Sequence, residues 1–279
     1  MKMTQKKAVI YMMITALIWS TGGLLIKLVE WNPLAIASAR SGIAVLILIP
    51  FVKFNRKLFN FHGIAGSIAY ALTVLLFVSA NKLTTSANAI FLQFTAPIWV
   101  IIFSVVFLRK KVRRSDTISI GMIFVGMAFF FAESMDSGKL FGNFIALLSG
   151  ITFASMLMLM QHEGNESPLA TIILGNTITF LIGLPFYFTS MPSSKSIIGL
   201  LLLGIFQIGI SYLFYAKAVK HLTAIEGILI PVIEPLLNPV WVLLFFGEAP
   251  GKLALLGGVV VITTMVTRSI YQAKKPVLT

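Results

Sequence analysis

Apolar residues follow one another in long runs along this chain, interrupted only by short groups of charged residues or of Asn, Pro and Gly. A helix that crosses a bilayer needs about 20 mostly apolar residues. Runs of that order lie near 8–27, 33–52, 61–81, 84–108, 116–132, 140–161, 168–189, 196–216, 223–246 and 252–270. The pattern predicts an all-α integral membrane protein with ten transmembrane helices. Ten such helices use roughly 200 residues, which leaves no room in 279 residues for a soluble catalytic domain. The first run follows Lys2, Lys6 and Lys7 as a signal peptide would, but it is too long for one and no small-residue cleavage site follows. It is expected to remain as the first span.

Composition sharpens the class. With 58% hydrophobic and 11% charged residues and a mean hydropathy of +0.95, a water-soluble globule is excluded. The absence of cysteine excludes disulfides, thiolate metal sites and cysteine nucleophiles. His62, His162 and His221 make no ligand spacing, so no metal and no cofactor are expected. Net charge is +13, from 22 Lys and Arg against 9 Asp and Glu. In a membrane protein such an excess reads first as positive-inside loop charge rather than as a nucleic-acid surface, and no nucleic-acid partner is expected. Placing the N-terminus in the cytoplasm puts sixteen cations on that side and five (Lys27, Lys82, Lys139, Lys195, Lys252) on the other, with Arg40 inside a span. Both termini are therefore expected in the cytoplasm; only the loop from His162 to Ser167, which has no cation, does not support this.

The chain is duplicated. Residues 33–51 (PLAIASARSGIAVLILIPF) and 168–186 (PLATIILGNTITFLIGLPF) match at eight of nineteen positions with an offset of 135. Further along, an offset of 138 pairs Ala80 with Ala218, Lys82 with Lys220, Thr85 with Thr223, Ile90 with Ile228, Pro97 with Pro235 and Phe107 with Phe245. The expected units are 1–135 and 136–279, five helices each. Because five is odd, the second copy enters the membrane from the opposite side. Inverted repeats of this kind characterise secondary transporters, whose halves exchange inward-open and outward-open shapes around a central site.

Several motifs carry a resemblance across nearly the whole chain: Trp19-Ser20 in the first span, Pro33 and Arg40 in the second, Pro97 in the fourth, and Glu234-Pro235 followed by Gly247-Glu248 in the ninth. In their order and spacing the sequence resembles the drug/metabolite transporter superfamily, in its bacterial branch with two EamA domains. The resemblance implies ATP-independent export of small metabolites or drugs through a central cavity lined by both halves, in a bacterial cytoplasmic (inner) membrane. It does not choose the substrate, since relatives handle amino acids, aromatic compounds and cationic drugs. One departure is plain: Arg109-Lys110 stand where the family often has Gly-Glu and where the second copy has Gly247-Glu248.

Charged side chains in mid-span cost at least about 2.5 to 3.5 kcal/mol on insertion scales and usually face a cavity or a partner. Arg40 lies roughly 10 Å below the outer end of its helix at 1.5 Å per residue. It is either an anchor for a substrate carboxylate or phosphate, held by two hydrogen bonds, or an arginine that snorkels outward or bonds backbone carbonyls. Glu234 sits near the middle of the ninth span, beside Pro231, Pro235 and Pro239, which lack the N–H of a regular helix. A bent or broken helix is expected there. A carboxyl at that depth is either a proton carrier, neutral in one conformation and ionised in another, or a protonated structural group. Glu226 reads as interfacial. Trp19, Ser20, Tyr70, Gln93, Asn176 and Gln207 share the same depth, with Tyr212 and Asn238 somewhat off centre. Each alone is explained by interhelical hydrogen bonding; together they outline a substrate site in which Trp19, far from the interfacial belt, forms an aromatic wall.

Gly22-Gly23, Gly121 with Gly126, and Gly257-Gly258 are expected to mark close helix contacts, and spans five and ten to be peripheral supports or a dimer face. The run from Arg109 to Arg114 is an orientation signal, with anionic lipid headgroups as a second partner. The sequence thus points to a secondary transporter, not an enzyme, that exports small metabolites such as amino acids by alternating access and takes a proton at Glu234 if it is coupled. The alternatives are an exporter of drugs or other cationic compounds, and an uncoupled facilitator or channel-like permease. A monomer or weak homodimer in the lipid bilayer is expected.

Overall fold

The computed structural model describes residues 4–52, 60–107, 109, 114–135, 139–161, 168–189, 191–218, 221–222 and 230–273. Glu226, the 162–167 loop and residues 110–113 lie outside this set. All regular structure among the described residues is helical. Nine helical segments there are long and apolar enough to cross a membrane, and a shorter apolar helix, Ile230–Phe246, makes the tenth pass.

Span one is split into α1 (Gln5–Ser20) and α2 (Gly22–Leu28). Span two is α3 (Pro33–Leu48), started by Pro33 at its first turn and by Asn32, whose side chain accepts from the Leu34 N–H. Span three is α4 (Phe61–Leu83). Span four is split into α5 (Ser86–Gln93) and α6 (Ala96–Val106). Spans five to seven are α7 (Arg114–Met135), α8 (Leu140–Gln161) and α9 (Pro168–Gly183). Span eight comprises α10 (Ser194–Leu201), a π-helical stretch (Leu202–Ile210) and α11 (Ser211–Ala218). Spans nine and ten contain α12 (Ile233–Phe246) and α13 (Lys252–Ala273).

Contacts follow the pseudo-two-fold symmetry of the duplication. On the axis, α3 packs on α9, and α7 on α13. Off the axis, the packing of α4 on α8 is matched by that of α11 on α1, and the packing of α4 on α9 by that of the π-helical stretch on α3. Small residues set the close approaches. A Cβ on Gly126 would meet Val261 and the Gly257 carbonyl, and one on Gly257 would lie 2.7 Å from the Gly126 carbonyl. Helices α7 and α13 are thus in backbone contact. Three hydrogen bonds pin them further: Arg268 donates from Nε and Nη2 to Asp116 Oδ1 at 3.2 and 3.0 Å, and Glu133 Oε2 accepts from the Ala254 N–H at 2.7 Å. Gly121 corrects the expectation that pairs it with Gly126: among the described residues no atom outside its own turn of helix lies within 4 Å of its Cβ position, and it is exposed.

The three prolines of span nine act differently from one another. Pro231 lies in a 3-10 turn, Ile230–Val232, and the α-helix begins after it. Pro235 falls in the first turn of α12, where its missing N–H has no intrahelical partner to lose, and α12 continues through Pro239. Glu234 therefore stands in the first turn of a short helix rather than in the middle of a long one.

Candidate functional site

Six of the polar side chains picked out by depth converge: Trp19 on α1, Arg40 on α3, Tyr70 on α4, Asn176 on α9, and Gln207 and Tyr212 on span eight. Arg40 is 3% exposed, so it does not snorkel. Its Nη1 donates to Gln207 Oε1 at 3.3 Å, and its Nε has no partner among the described residues. The phenols of Tyr70 and Tyr212 lie near it. Asn176 Nδ2 donates to Tyr70 Oη at 2.9 Å and to the Ile172 carbonyl at 2.9 Å, while its Oδ1 is buried without a partner among the described residues. The rings form a chain: Tyr70 to Tyr212 at 6.1 Å, Tyr212 to Trp19 at 5.4 Å and Trp19 to Tyr215 at 5.5 Å between centroids.

Span eight supplies the spine of this cluster. Gln207, Ser211 and Tyr215 recur every four residues, a stripe that helical spacing alone would have revealed. Ser211 and Tyr215 are the members that sequence reasoning missed. Trp19 Nε1 donates to Ser211 Oγ at 2.8 Å, and Ser211 Oγ in turn lies 2.6 Å from the Gln207 carbonyl. The π-helical turns carry Gly204 and Gly209 against α3: a Cβ on Gly204 would meet Ile43 and the Arg40 carbonyl, and one on Gly209 would meet Ile47. Wide turns of this kind are rare in helices and concentrate at functional sites.

The other expected site residues are placed elsewhere or differently. Glu234 is half-buried near Tyr212 and makes no hydrogen bond or ion pair among the described residues. Gln93, half-buried at the end of α5, makes no side-chain hydrogen bond among them. Asn238 belongs to a second polar group. Its Oδ1 lies 2.8 Å from Ser86 Oγ, which also lies 2.9 Å from Asn81 Oδ1, and both Ser86 and Asn238 press on Gly23 of α2.

Near that group an ion pair joins the two repeats. Glu248 Oε2 is 2.6 Å from Lys27 Nζ, and Glu248 Oε1 accepts from the Ser86 N–H at 2.8 Å, at the first turn of α5. Lys82 Nζ donates to the Val29 carbonyl at 2.6 Å beside it. The ends of spans one, three, four and nine are thus tied together on one face. A separate cleft of about 410 Å³ between α5, α12 and α13 is lined by apolar residues such as Phe91, Leu243 and Val259 and contains none of the polar cluster.

Ten apolar passes, an inverted repeat and a polar cluster shared between its halves define a transporter. The model of the EamA-like transporter family matches twice, over residues 6–132 and 140–268, and the chain belongs to that family. An uncharacterised transporter of Clostridium kluyveri is 23% identical over 273 residues, covering 88% of this chain and 87% of its own. One from Helicobacter pylori is 24% identical over 72% of this chain and 70% of its own. Human solute carrier family 35 member G1 is 24% identical, covering 95% of this chain and 80% of its own. A solved crystal structure superposes with a TM-score of 0.65 at 16% identity, covering 98% of this chain and all of the other, which shows a shared fold.

Proposed function

We propose that this protein exports small carboxylate-bearing metabolites, amino acids foremost, across a bacterial cytoplasmic membrane by alternating access of its two repeats. One observation carries the reading: a guanidinium buried among aromatic rings has one long hydrogen bond to a neutral amide and no carboxylate in ion-pair distance among the described residues. Burying a charge without an opposite charge is costly. A substrate carboxylate supplies the missing charge and fits the planar fork with two bonds. Tyr70, Tyr212 and Trp19 offer apolar and aromatic surface to the rest of such a molecule. The cation bias between loops supports cytoplasmic termini, and with them the placing of the Lys27–Glu248 pair on the outer face.

Glu234 is the coupling group in this reading, a carboxyl near Tyr212 that binds a proton on one side of the membrane and releases it on the other. Proteoliposomes loaded with radiolabelled amino acids, aromatic acids or cationic dyes test both parts together. Arg40→Ala is expected to lower exchange of carboxylates at least tenfold and leave cationic dyes unaffected, with Arg40→Lys in between because it keeps the charge and loses the fork. Glu234→Gln is expected to abolish accumulation driven by a pH gradient while sparing exchange. Normal carboxylate exchange in well-folded Arg40→Ala would overturn the anchor, and gradient-driven accumulation by Glu234→Gln would overturn the coupling site.

A further inference from the structure

The bond between Arg40 and Gln207 is weak on both sides. At 3.3 Å it lies beyond the usual range of an N–H···O bond, and far beyond the 2.7–2.9 Å typical of a guanidinium on a carboxylate. Arg40 Nε is buried and unpartnered among the described residues, so the groups described there use the fork only in part. On the other side, this is the only hydrogen bond that Gln207's side chain makes among the described residues. The amide rests against Gly22 at the start of α2, where an added Cβ would come within 3.1 Å of Nε2. Its backbone lies in the π-helical stretch and is tied through Ser211 to Trp19.

We infer that Gln207 is a place-holder for the substrate's anionic group: its amide oxygen covers Arg40 in the empty transporter and is displaced when substrate binds. This rests on the reading of Arg40 as the anchor. A neutral amide suits the task because it offers the buried guanidinium an acceptor that a carboxylate outcompetes. A glutamate in the same place would form a buried ion pair, and substrate would then have to break it. The displaced amide has the half-helix boundary at Gly22 on one side and the Ser211–Trp19 bond at its base. Release of Gln207 therefore acts on the same two spans, one and eight, that pack together across the repeats.

The test uses the full-length protein in proteoliposomes, with counterflow of radiolabelled L-amino acids, and thermal unfolding of the same purified protein without amino acid. Gln207→Ala is expected to tighten apparent affinity for the amino acid best exchanged by the wild type about two- to tenfold, the worth of one modest hydrogen bond that no longer has to be broken. Gln207→Glu is expected to weaken it at least tenfold and to raise the unfolding temperature, a gain that disappears in an Arg40→Ala background. A loss of affinity in Gln207→Ala equal to that in Arg40→Ala would overturn the inference and make Gln207 a direct substrate ligand. Wild-type affinity in Gln207→Glu would overturn it as well. Unchanged exchange in Arg40→Ala overturns the anchor itself, which keeps the two failures distinct.

Discussion

Helices α3 and α9 are the same helix twice, and they differ where it matters for chemistry. Both begin Pro-Leu-Ala, and both end at a Pro-Phe in a 3-10 turn, Ile49–Phe51 in one and Leu184–Thr189 in the other. They pack on each other through Gly183 against Ser38 and Gly42 against Phe180, and Ser38 Oγ donates to the Phe180 carbonyl at 2.7 Å. In the middle, Arg40 of the first copy corresponds to Gly175 of the second. Arg40 reaches across to span eight. At the equivalent crossing Gly175 closes on α4, where an added Cβ would lie 2.7 Å from the Tyr70 ring and 2.8 Å from the Ser67 carbonyl. One crossing is filled by a cation and the other by backbone contact. The ends that set packing are shared between the copies, and the positions where they diverge hold the polar cluster.

Filling the second crossing is the strongest way to break this difference. Gly175→Ala forces α9 and α4 apart or turns Tyr70, and overpacking of this order costs about 1–3 kcal/mol. A drop in unfolding temperature with loss of amino acid exchange is expected. Gly121→Ala is the control: with open space at its Cβ, it is expected to leave exchange unchanged and to stabilise by about 0.4–1 kcal/mol. A Gly175→Ala protein as stable and active as wild type would show that the crossing is not tight.

The contrast between Gly121 and Gly126 also shows where sequence stops informing. Five residues apart in one apolar run, they are equivalent to a hydropathy average, and only the position of α13 separates them. The ten apolar runs, the duplication and the polar positions of Arg40, Tyr70, Asn176 and Gln207 within apolar runs were legible, because each depends on local composition or on comparison along the chain. The interruptions at Thr21, at Phe94-Thr95 and across the π-helical stretch were not, since neither a break of one or two residues nor a widening of the turns over nine changes the average hydropathy of a run. The separation of Asn238 from Arg40 was equally hidden: depth fixes height in the membrane and says nothing of position around the bundle.

The ends of spans four and nine give a second comparison. Gly247-Glu248 carries the acid that bonds Lys27 and the first turn of α5, whereas the first copy has Arg109-Lys110. One face is thus tied by an ion pair for which the equivalent sequence on the other lacks the acid. The pair is partly exposed, at 17% and 25% for the two side chains, so a coupling energy of about 1 kcal/mol is expected. Glu248→Gln and Lys27→Gln should each lower the unfolding temperature slightly, and the double variant little further. In intact cells, a cysteine placed at Ala249 should react several-fold faster with a membrane-impermeant maleimide in Glu248→Gln than in wild type. Additive effects of the two single variants would show that the charges do not interact, and no labelling in either background would place this face inside.

The same dipeptides share a backbone feature that their side chains conceal. Gly247 closes α12 at a φ of 67°, and Arg109, its counterpart in the first copy, has a φ of 52°. Both lie in the left-handed region, which glycine enters freely and which costs a residue with a Cβ roughly 1–2 kcal/mol. The first copy has the same sign of φ at this position with a cation in place of the glycine. Arg109→Gly relieves the backbone but loosens the unfolded chain, which opposes the gain by about 0.4–1 kcal/mol. The net expectation is a stabilisation of about 0.5–1 kcal/mol in thermal unfolding, with exchange unchanged. Gly247→Ala should move the other way by about 1 kcal/mol. Destabilisation by Arg109→Gly would mean that the arginine side chain contributes more to the fold than its backbone conformation costs.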